Sequence, residues 1–266
     1  MTVTKKAYAK INLTLEILGT KRNDGFHDIA SVMHKAHNLY DEVEVSVKEN
    51  DKQINLVCDK DVCEPKDNLA YRAADKYIAL YKEKYAKDFG VDISIKKNIP
   101  AGAGLAGGSS DAAAVLDALS ELKGGLDENE IFEIALSLGS DVPFCLEKHT
   151  CALCTGRGEI IEDLPPLENV KIEFCFSAPL STKGIYGEYD KLYGDNYTKD
   201  NSKRMAQLLK DKAPVEEILV LMCNDFQPLC EKRCPDIAKA CELFKSKGYY
   251  SQMSGSGSAV FAAGRA

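Results

Sequence analysis

PAGAGLAGGSSDAAAVL, residues 100–116, sets four glycines within seven positions ahead of two serines and an alanine-rich run. Gly102, Gly104 and Gly107 spell G-x-G-x-x-G. A dinucleotide-binding loop of that spelling needs a helix after it and then a second parallel strand ending in an acidic residue about 20 residues on. Here the first helix is followed by LDENEIFEIALSLG, which has helical spacing, and the strand before the loop alternates apolar and polar residues. The G-x-x-x-x-G-K-[ST] loop is excluded as well, because no lysine follows the glycines. What remains is the physics both loops share. Glycines let the backbone approach an oxyanion, and Ser109 and Ser110 lie where the next helix presents N–H groups without intrahelical partners. The reading is a phosphate held by an unconventional loop; the plainer alternative is a glycine turn with a serine cap.

Outward from the loop, periodicity predicts a helix over 110–122, broken at Gly124 and Gly125, and another over 128–138 that ends at Gly139. Upstream, Ala7, Ala9, Ile11, Leu13, Leu15 and Ile17 alternate with Tyr8, Lys10, Asn12, Thr14 and Glu16, which predicts one strand with one buried face. Residues 43–47 and 54–57 alternate around the charged turn KENDK and predict an antiparallel hairpin. A helix is expected over 69–85 and strands over 91–95, 151–154 and 171–176; beyond Pro179 the pattern is mostly helical, with a polar loop near 194–202. Strands early and helices late give an α+β class, with a boundary near Pro165 and Pro166.

A chain of 266 residues with 45% apolar residues can bury a large core. Its net charge of −7 argues against a nucleic-acid or anionic-membrane partner, which calls for clustered basic surface. There is no apolar run of about 20 residues and no apolar leader, so the expectation is a cytoplasmic protein without a membrane partner. Ten cysteines are scattered through apolar runs and read as reduced core residues. Cys151 and Cys154 form a C-x-x-C with no second pair at zinc-site spacing.

PAGAGLAGGSSDAAAV resembles the phosphate loop of the GHMP kinase superfamily, the galactokinase, homoserine, mevalonate and phosphomevalonate kinases. AKINLTLEILGTKRNDGFHDIASVM, residues 9–33, and LGSDVPF, residues 138–144, are similar to motifs of the branch that phosphorylates 4-diphosphocytidyl-2-C-methyl-D-erythritol. MSGSGSAVF, residues 253–261, matches the C-terminal glycine motif of the superfamily. The resemblance implies a two-domain GHMP kinase fold: a ribosomal-protein-S5-domain-2-like domain over 1–165 and a C-terminal α/β-sandwich domain over 166–266. Related enzymes usually continue with another helix and strand, so the second domain is expected to be short at its end. The implied reaction moves the γ-phosphoryl group of ATP, with Mg²⁺, to the 2-hydroxyl of a cytidine-diphosphate substrate in non-mevalonate isoprenoid synthesis. The implied protein is a monomer or homodimer. A homoserine or mevalonate type of kinase is the alternative; it would share the loop but not the cytidine pair.

The resemblance also assigns residues. Lys10 matches the lysine beside the acceptor hydroxyl, where a cation favours an alkoxide and offsets charge on the moving phosphoryl group. Asp141 matches the general base. Lys10 and Asn12 lie two apart on one strand, about 7 Å from each other, so one site could use both; the plainer reading is a solvated strand face. For Asp141 the plainer reading is a turn residue bonding its own backbone. ATP is assigned to Asn68, Lys97, Pro100, Gly102, Gly104, Gly107, Gly108, Ser109 and Ser110, although Asn68 could simply cap the helix after it. The cytidine end is assigned to Phe26, His27 and Tyr186, and the remaining substrate contacts to Asn12, Gly255, Ser256 and Gly257. The family usually has Tyr where Phe26 stands; Phe keeps the stacking face and lacks the hydroxyl. No residues are assigned to the metal.

Overall fold

A computed structural model of the chain describes residues 1–19, 25, 27–60, 63–178, 180–193 and 200–265. In chain order these form β1 (Thr2–Asn12), β2 (Thr14–Leu18), β3 (Asp28–Lys48), β4 (Ile54–Cys58), α1 (Leu69–Tyr85), β5 (Gly90–Lys96), α2 (Gly107–Lys123), α3 (Glu128–Leu138) and α4 (Val142–Cys145). There follow β6 (Cys151–Gly156), β7 (Ile160–Asp163), β8 (Val170–Cys175), α5 (Thr182–Tyr193), α6 (Asn201–Lys210), α7 (Val215–Leu219), β9 (Cys223–Asn224), α8 (Gln227–Arg233), α9 (Pro235–Ser246), β10 (Tyr250–Met253) and β11 (Val260–Arg265). The α+β class expected from the sequence is the one observed. Two compact units are present, one made of Met1–Ala9, His37–Ala101 and Ala106–Lys148, the other of Lys10–Ala36, Gly102–Leu105 and His149–Ala266. β1 and β3 run through both.

In the first unit the strand order is β4-β5-β3. β5 pairs parallel with β4, from Ile54↔Val91, and antiparallel with β3, from Glu42↔Lys96. The hairpin expected between 43–47 and 54–57 is therefore not formed, because β5 inserts between its two arms. The reason is burial. Val91, Ile93 and Ile95 are at most 2% exposed, whereas β4 only half-buries its alternate residues and leaves Val57 67% exposed. The strand whose alternate Val and Ile side chains are fully covered lies in the centre, and the half-buried one lies at the edge. Over this sheet α1 lays the stripe Ala73, Ala74, Tyr77 and Ile78 against α2, whose Ala112, Ala113 and Ala118 let the two helices approach closely. Pro143 lies in the first turn of the short helix α4, where its missing N–H costs nothing.

In the second unit β9-β2-β3-β6-β7 form one sheet and β10-β11-β8 another. The single strand expected over 7–17 is two, β1 and β2, interrupted at Leu13. Its apolar positions are buried as expected, but Lys10, Asn12, Thr14 and Glu16 are buried too, none more than 4% exposed. The predicted solvated face is lost because α6 supplies partners for it. Glu16 accepts hydrogen bonds from the N–H groups of Asn201 and Ser202 at 3.1 and 2.9 Å, and Ser202 Oγ bonds Thr14 Oγ1. Glu16 thereby caps a helix whose own N-cap residue, Asp200, makes no capping bond.

Cys151 and Cys154 are both buried in β6, where residues three apart face opposite sides of the sheet. All ten cysteines are free thiols, and no cluster of metal-ligating side chains occurs among the described residues. No described helix is long and apolar enough to cross a membrane.

Candidate active site

The phosphate loop is built from backbone. Gly102 and Gly104 take φ values of +67° and +76°, and Ala106, the N-cap of α2, takes +55°. This left-handed sequence turns the chain into α2 with no side-chain hydrogen bond at the cap. The serine cap of the plainer alternative is not formed: Ser110 is 2% exposed, its N–H goes to Ala106 O, and its hydroxyl donates to Tyr8 O at 2.7 Å. α2 starts at Gly107, three residues earlier than predicted, so the first-turn N–H groups of Gly107, Gly108 and Ser109 have no intrahelical acceptor. The two helical glycines serve different ends. A Cβ on Gly107 would lie 3.0 Å from Ile99 Cγ2, which would have to give by a few tenths of an ångström; a Cβ on Gly108 would meet nothing nearer than Leu69 Cδ1 at 3.8 Å. Gly108 is exposed, and its bare backbone leaves a cradle that suits a phosphate.

Beneath this helix start Lys97 donates to two buried carboxylates, Asp111 Oδ2 at 2.6 Å and Asp41 Oδ2. Asp41 Oδ1 also accepts the N–H groups of Asn98 and Ile99, which fixes the chain just before Pro100. Asp111 Oδ1 is buried without a hydrogen-bond partner. Burial pushes the Asp111 carboxyl up to about 7, against the pull of Lys97. Burial works against the charge on Lys97 as well, but the two carboxylates outweigh it and hold its pKa above the ordinary value. Asn68 is the N-cap of α1, its Oδ1 accepting from Ala70 N at 2.9 Å. Asp141 immediately precedes α4, is half-buried, and its side chain makes no capping bond to that helix.

In the second unit Lys10 Nζ donates to Asn12 Oδ1 at 2.8 Å, and Gly255 N–H donates to the same oxygen at 3.0 Å. The N-terminal strand motif and the C-terminal glycine motif thus meet at one amide. The glycine motif also packs closely on the phosphate turn. Ser254 Oγ donates to Gly104 O at 3.1 Å, Ala259 N to Ala103 O at 3.0 Å, and a Cβ on Gly104 would lie 2.3 Å from Ser254 O. Ser256 is buried, and a Cβ on Gly257 would lie 2.7 Å from Met253 Sδ. Asn224 holds the turn from behind, donating to Met253 O and Gly255 O, both at 2.8 Å. The imidazole of His27 pairs with Asp190 at 2.7 Å, and its ring centroid is 5.6 Å from that of Tyr186, which in turn packs edge-on against Phe226. Phe26 lies outside the described residues.

Sequence reasoning missed Asp41, Asp111, Ser31, Asn224 and Asp190. The alternation over 10–16 reads as a strand with one buried face and does not mark the partners that bury its polar side as well. Nothing local marks Asp41, whose three donors come from residues more than fifty positions away.

For Mg²⁺, the Ser110 hydroxyl and one Asp111 oxygen by the helix start are already committed, whereas Asp111 Oδ1 has no hydrogen-bond partner. The hydroxyl of Ser110 goes to Tyr8 O, and Asp111 to Lys97. These residues do not make a protein-built cage, and an ion of this kind commonly keeps its waters and binds chiefly through substrate phosphates.

Residues 68–149 match the family of GHMP kinases N terminal domains, and residues 205–265 the GHMP kinases C terminal family. The chain is a GHMP kinase. A 4-diphosphocytidyl-2-C-methyl-D-erythritol kinase of Prochlorococcus marinus is 38% identical over 268 residues, 96% of this chain and 82% of the relative. One of Caldicellulosiruptor saccharolyticus is 37% identical, over 96% of this chain and 86% of the relative. A crystal structure of a 4-(cytidine 5'-diphospho)-2C-methyl-D-erythritol kinase superposes with a TM-score of 0.77 at 29% identity, covering 98% of this chain and 89% of that one. Homoserine kinase from Cytophaga hutchinsonii shares the fold, with a TM-score of 0.74, at 16% identity. Within the GHMP kinases, then, this chain belongs to the 4-diphosphocytidyl-2-C-methyl-D-erythritol kinase family.

Proposed function

We propose that this chain transfers the γ-phosphoryl group of ATP to the 2-hydroxyl of 4-diphosphocytidyl-2-C-methyl-D-erythritol, a step of non-mevalonate isoprenoid precursor synthesis. The observation that carries this reading is 38% identity along 96% of the chain to a kinase named for that substrate, whereas the homoserine and mevalonate kinases share only the fold at 14–16%. The uncapped start of α2 supports phosphate binding, with Gly102, Gly104, Gly107, Gly108, Ser109 and Ser110 forming the turn and its support. Asn68, Lys97 and Pro100 frame the same segment of the first unit. Mg²⁺ would accompany ATP, held chiefly by its phosphates.

Asp141 takes the proton of the 2-hydroxyl as that oxygen bonds to the γ-phosphorus and the bond from phosphorus to ADP breaks. Lys10 supplies positive charge where the oxygen and phosphoryl group carry negative charge. Phe26, His27 and Tyr186 hold the cytidine end, where stacking contributes roughly 1–3 kcal/mol per base in comparable single-strand sites. Gly255, Ser256 and Gly257 contribute backbone to the acceptor site. The division into functions at 1–165 and 166–266 falls between the two family matches, which end at 149 and begin at 205. Ten unpaired cysteines support a cytoplasmic location, where the protein would act as a monomer or homodimer.

The test is turnover with ATP and Mg²⁺ against three acceptors in parallel. Phosphorylation of 4-diphosphocytidyl-2-C-methyl-D-erythritol, without homoserine or mevalonate turnover, is the expected result. Preference for either of the others sinks the reading.

A further inference from the structure

Asn12 is 1% exposed, and its amide is the junction of three chain segments. Both lone-pair directions of its Oδ1 are occupied, by Lys10 Nζ at 2.8 Å and Gly255 N–H at 3.0 Å. Its Nδ2 donates to Ser31 Oγ at 2.8 Å. Which end of an amide is oxygen and which is nitrogen follows from the hydrogen-bond network around it. Here Ser31 decides. Its hydroxyl hydrogen is committed to Thr14 O, 2.5 Å away, so Ser31 Oγ presents only lone pairs to Asn12. Only an N–H can face those lone pairs, and Oδ1 must then point at Lys10 and Gly255. A flipped amide would set its oxygen against Ser31 Oγ and its NH₂ against an ammonium and a backbone N–H, three unfavourable contacts in a buried site.

We infer that Ser31 is a positioning residue for phosphoryl transfer: by fixing the orientation of the Asn12 amide it sets where the Lys10 ammonium stands and how the Gly255 turn is held. Asn12 acts as the coupling element between the two, its oxygen filled from within the protein. This rests on the reaction proposed above. The surrounding structure makes the relay stiff. Ser31 is fully buried in β3, and Gln252 Nε2 donates to Asn12 O at 2.7 Å. A lysine displaced by a fraction of its ideal geometry still binds substrate but no longer meets the charge that develops in the transition state.

The experiment compares the parent with Ser31→Ala, which keeps the volume nearly unchanged and removes the acceptor, and Ser31→Thr, which restores a hydroxyl. Two readouts are taken: steady-state kinetics with ATP and 4-diphosphocytidyl-2-C-methyl-D-erythritol, and amide hydrogen exchange at Gly255 with Phe261 of β11 as the internal control. The expected result for Ser31→Ala is kcat lowered about 10–100-fold with KM within about threefold, and Gly255 exchange faster by about tenfold while Phe261 is unchanged. Ser31→Thr should recover most of both. A raised KM with kcat kept, an equal acceleration at Phe261, or no change in either readout overturns the inference. If the parent does not turn over this acceptor, the proposed function fails on its own, and selective exchange at Gly255 still decides whether Ser31 sets the Asn12 amide.

Discussion

Lys97 Nζ stands 2.6 Å from Asp111 Oδ2, yet this contact does not keep Asp111 an ordinary carboxylate. One ammonium is shared between two buried carboxylates, and Asp111 Oδ1 has no partner at all. Desolvation wins over the ion pair, and the carboxyl titrates at about 7 instead of 3.8. Between those values the folded protein holds a proton that the unfolded chain has released. The stabilisation is complete below about 3.8 and is lost as pH rises through about 7. Urea unfolding from pH 5 to 8 should show the parent losing stability relative to Asp111→Asn, by at most about 1.4 kcal/mol per pH unit. Parallel curves for the two proteins would refute the assignment.

Gly104 and Gly108 should respond in opposite ways to the same substitution. Gly104→Ala places a methyl 2.3 Å from Ser254 O on a residue with φ of +76°, so the fold should lose more than about 1 kcal/mol from the backbone alone. Gly108→Ala meets nothing within 3.8 Å and puts a better helix former in α2. Its thermal stability should hold or rise slightly, while affinity for ATP falls by about tenfold because the methyl crowds the phosphate cradle. Calorimetric melting and ATP titration check both halves.

Glu16→Gln should be costly although it alters neither size nor shape. The carboxylate accepts two N–H groups at the start of α6, and an amide offers an NH₂ to one of them. A loss of about 1–3 kcal/mol is expected for a buried donor left unpaired. A change below about 0.5 kcal/mol in urea unfolding would mean that water reaches these groups.

Asp141→Asn should lower kcat by about 10²–10⁴-fold while substrate binding, measured by titration, is kept. A variant that binds neither ATP nor acceptor would point to a folding role for Asp141 instead.

His27→Ala should raise KM for the cytidine substrate by roughly tenfold, with kcat little changed, because His27, paired with Asp190 and packed near Tyr186, is proposed to hold the base and to take no part in the proton or phosphoryl transfer. Equal loss in kcat and KM would place His27 nearer the chemistry.

Local chemistry made several features legible from the residues alone. Glycine spacing announced the phosphate turn, apolar periodicity located α1, α3, β5 and β6, and Asn68 before an apolar run announced the N-cap of α1. These depend on a few consecutive residues, as turns, caps and periodic faces do. Tertiary structure alone decided the rest. It placed β5 between β3 and β4, because competition among strands for the buried centre is settled by total burial and not by nearness in sequence. It turned Lys10, Asn12 and Glu16 from a solvated face into a buried network, because a polar side chain can be buried only where distant segments bring it partners. It joined Asp41 and Asp111 to one lysine, a cluster whose charge depends on desolvation that no stretch of sequence displays.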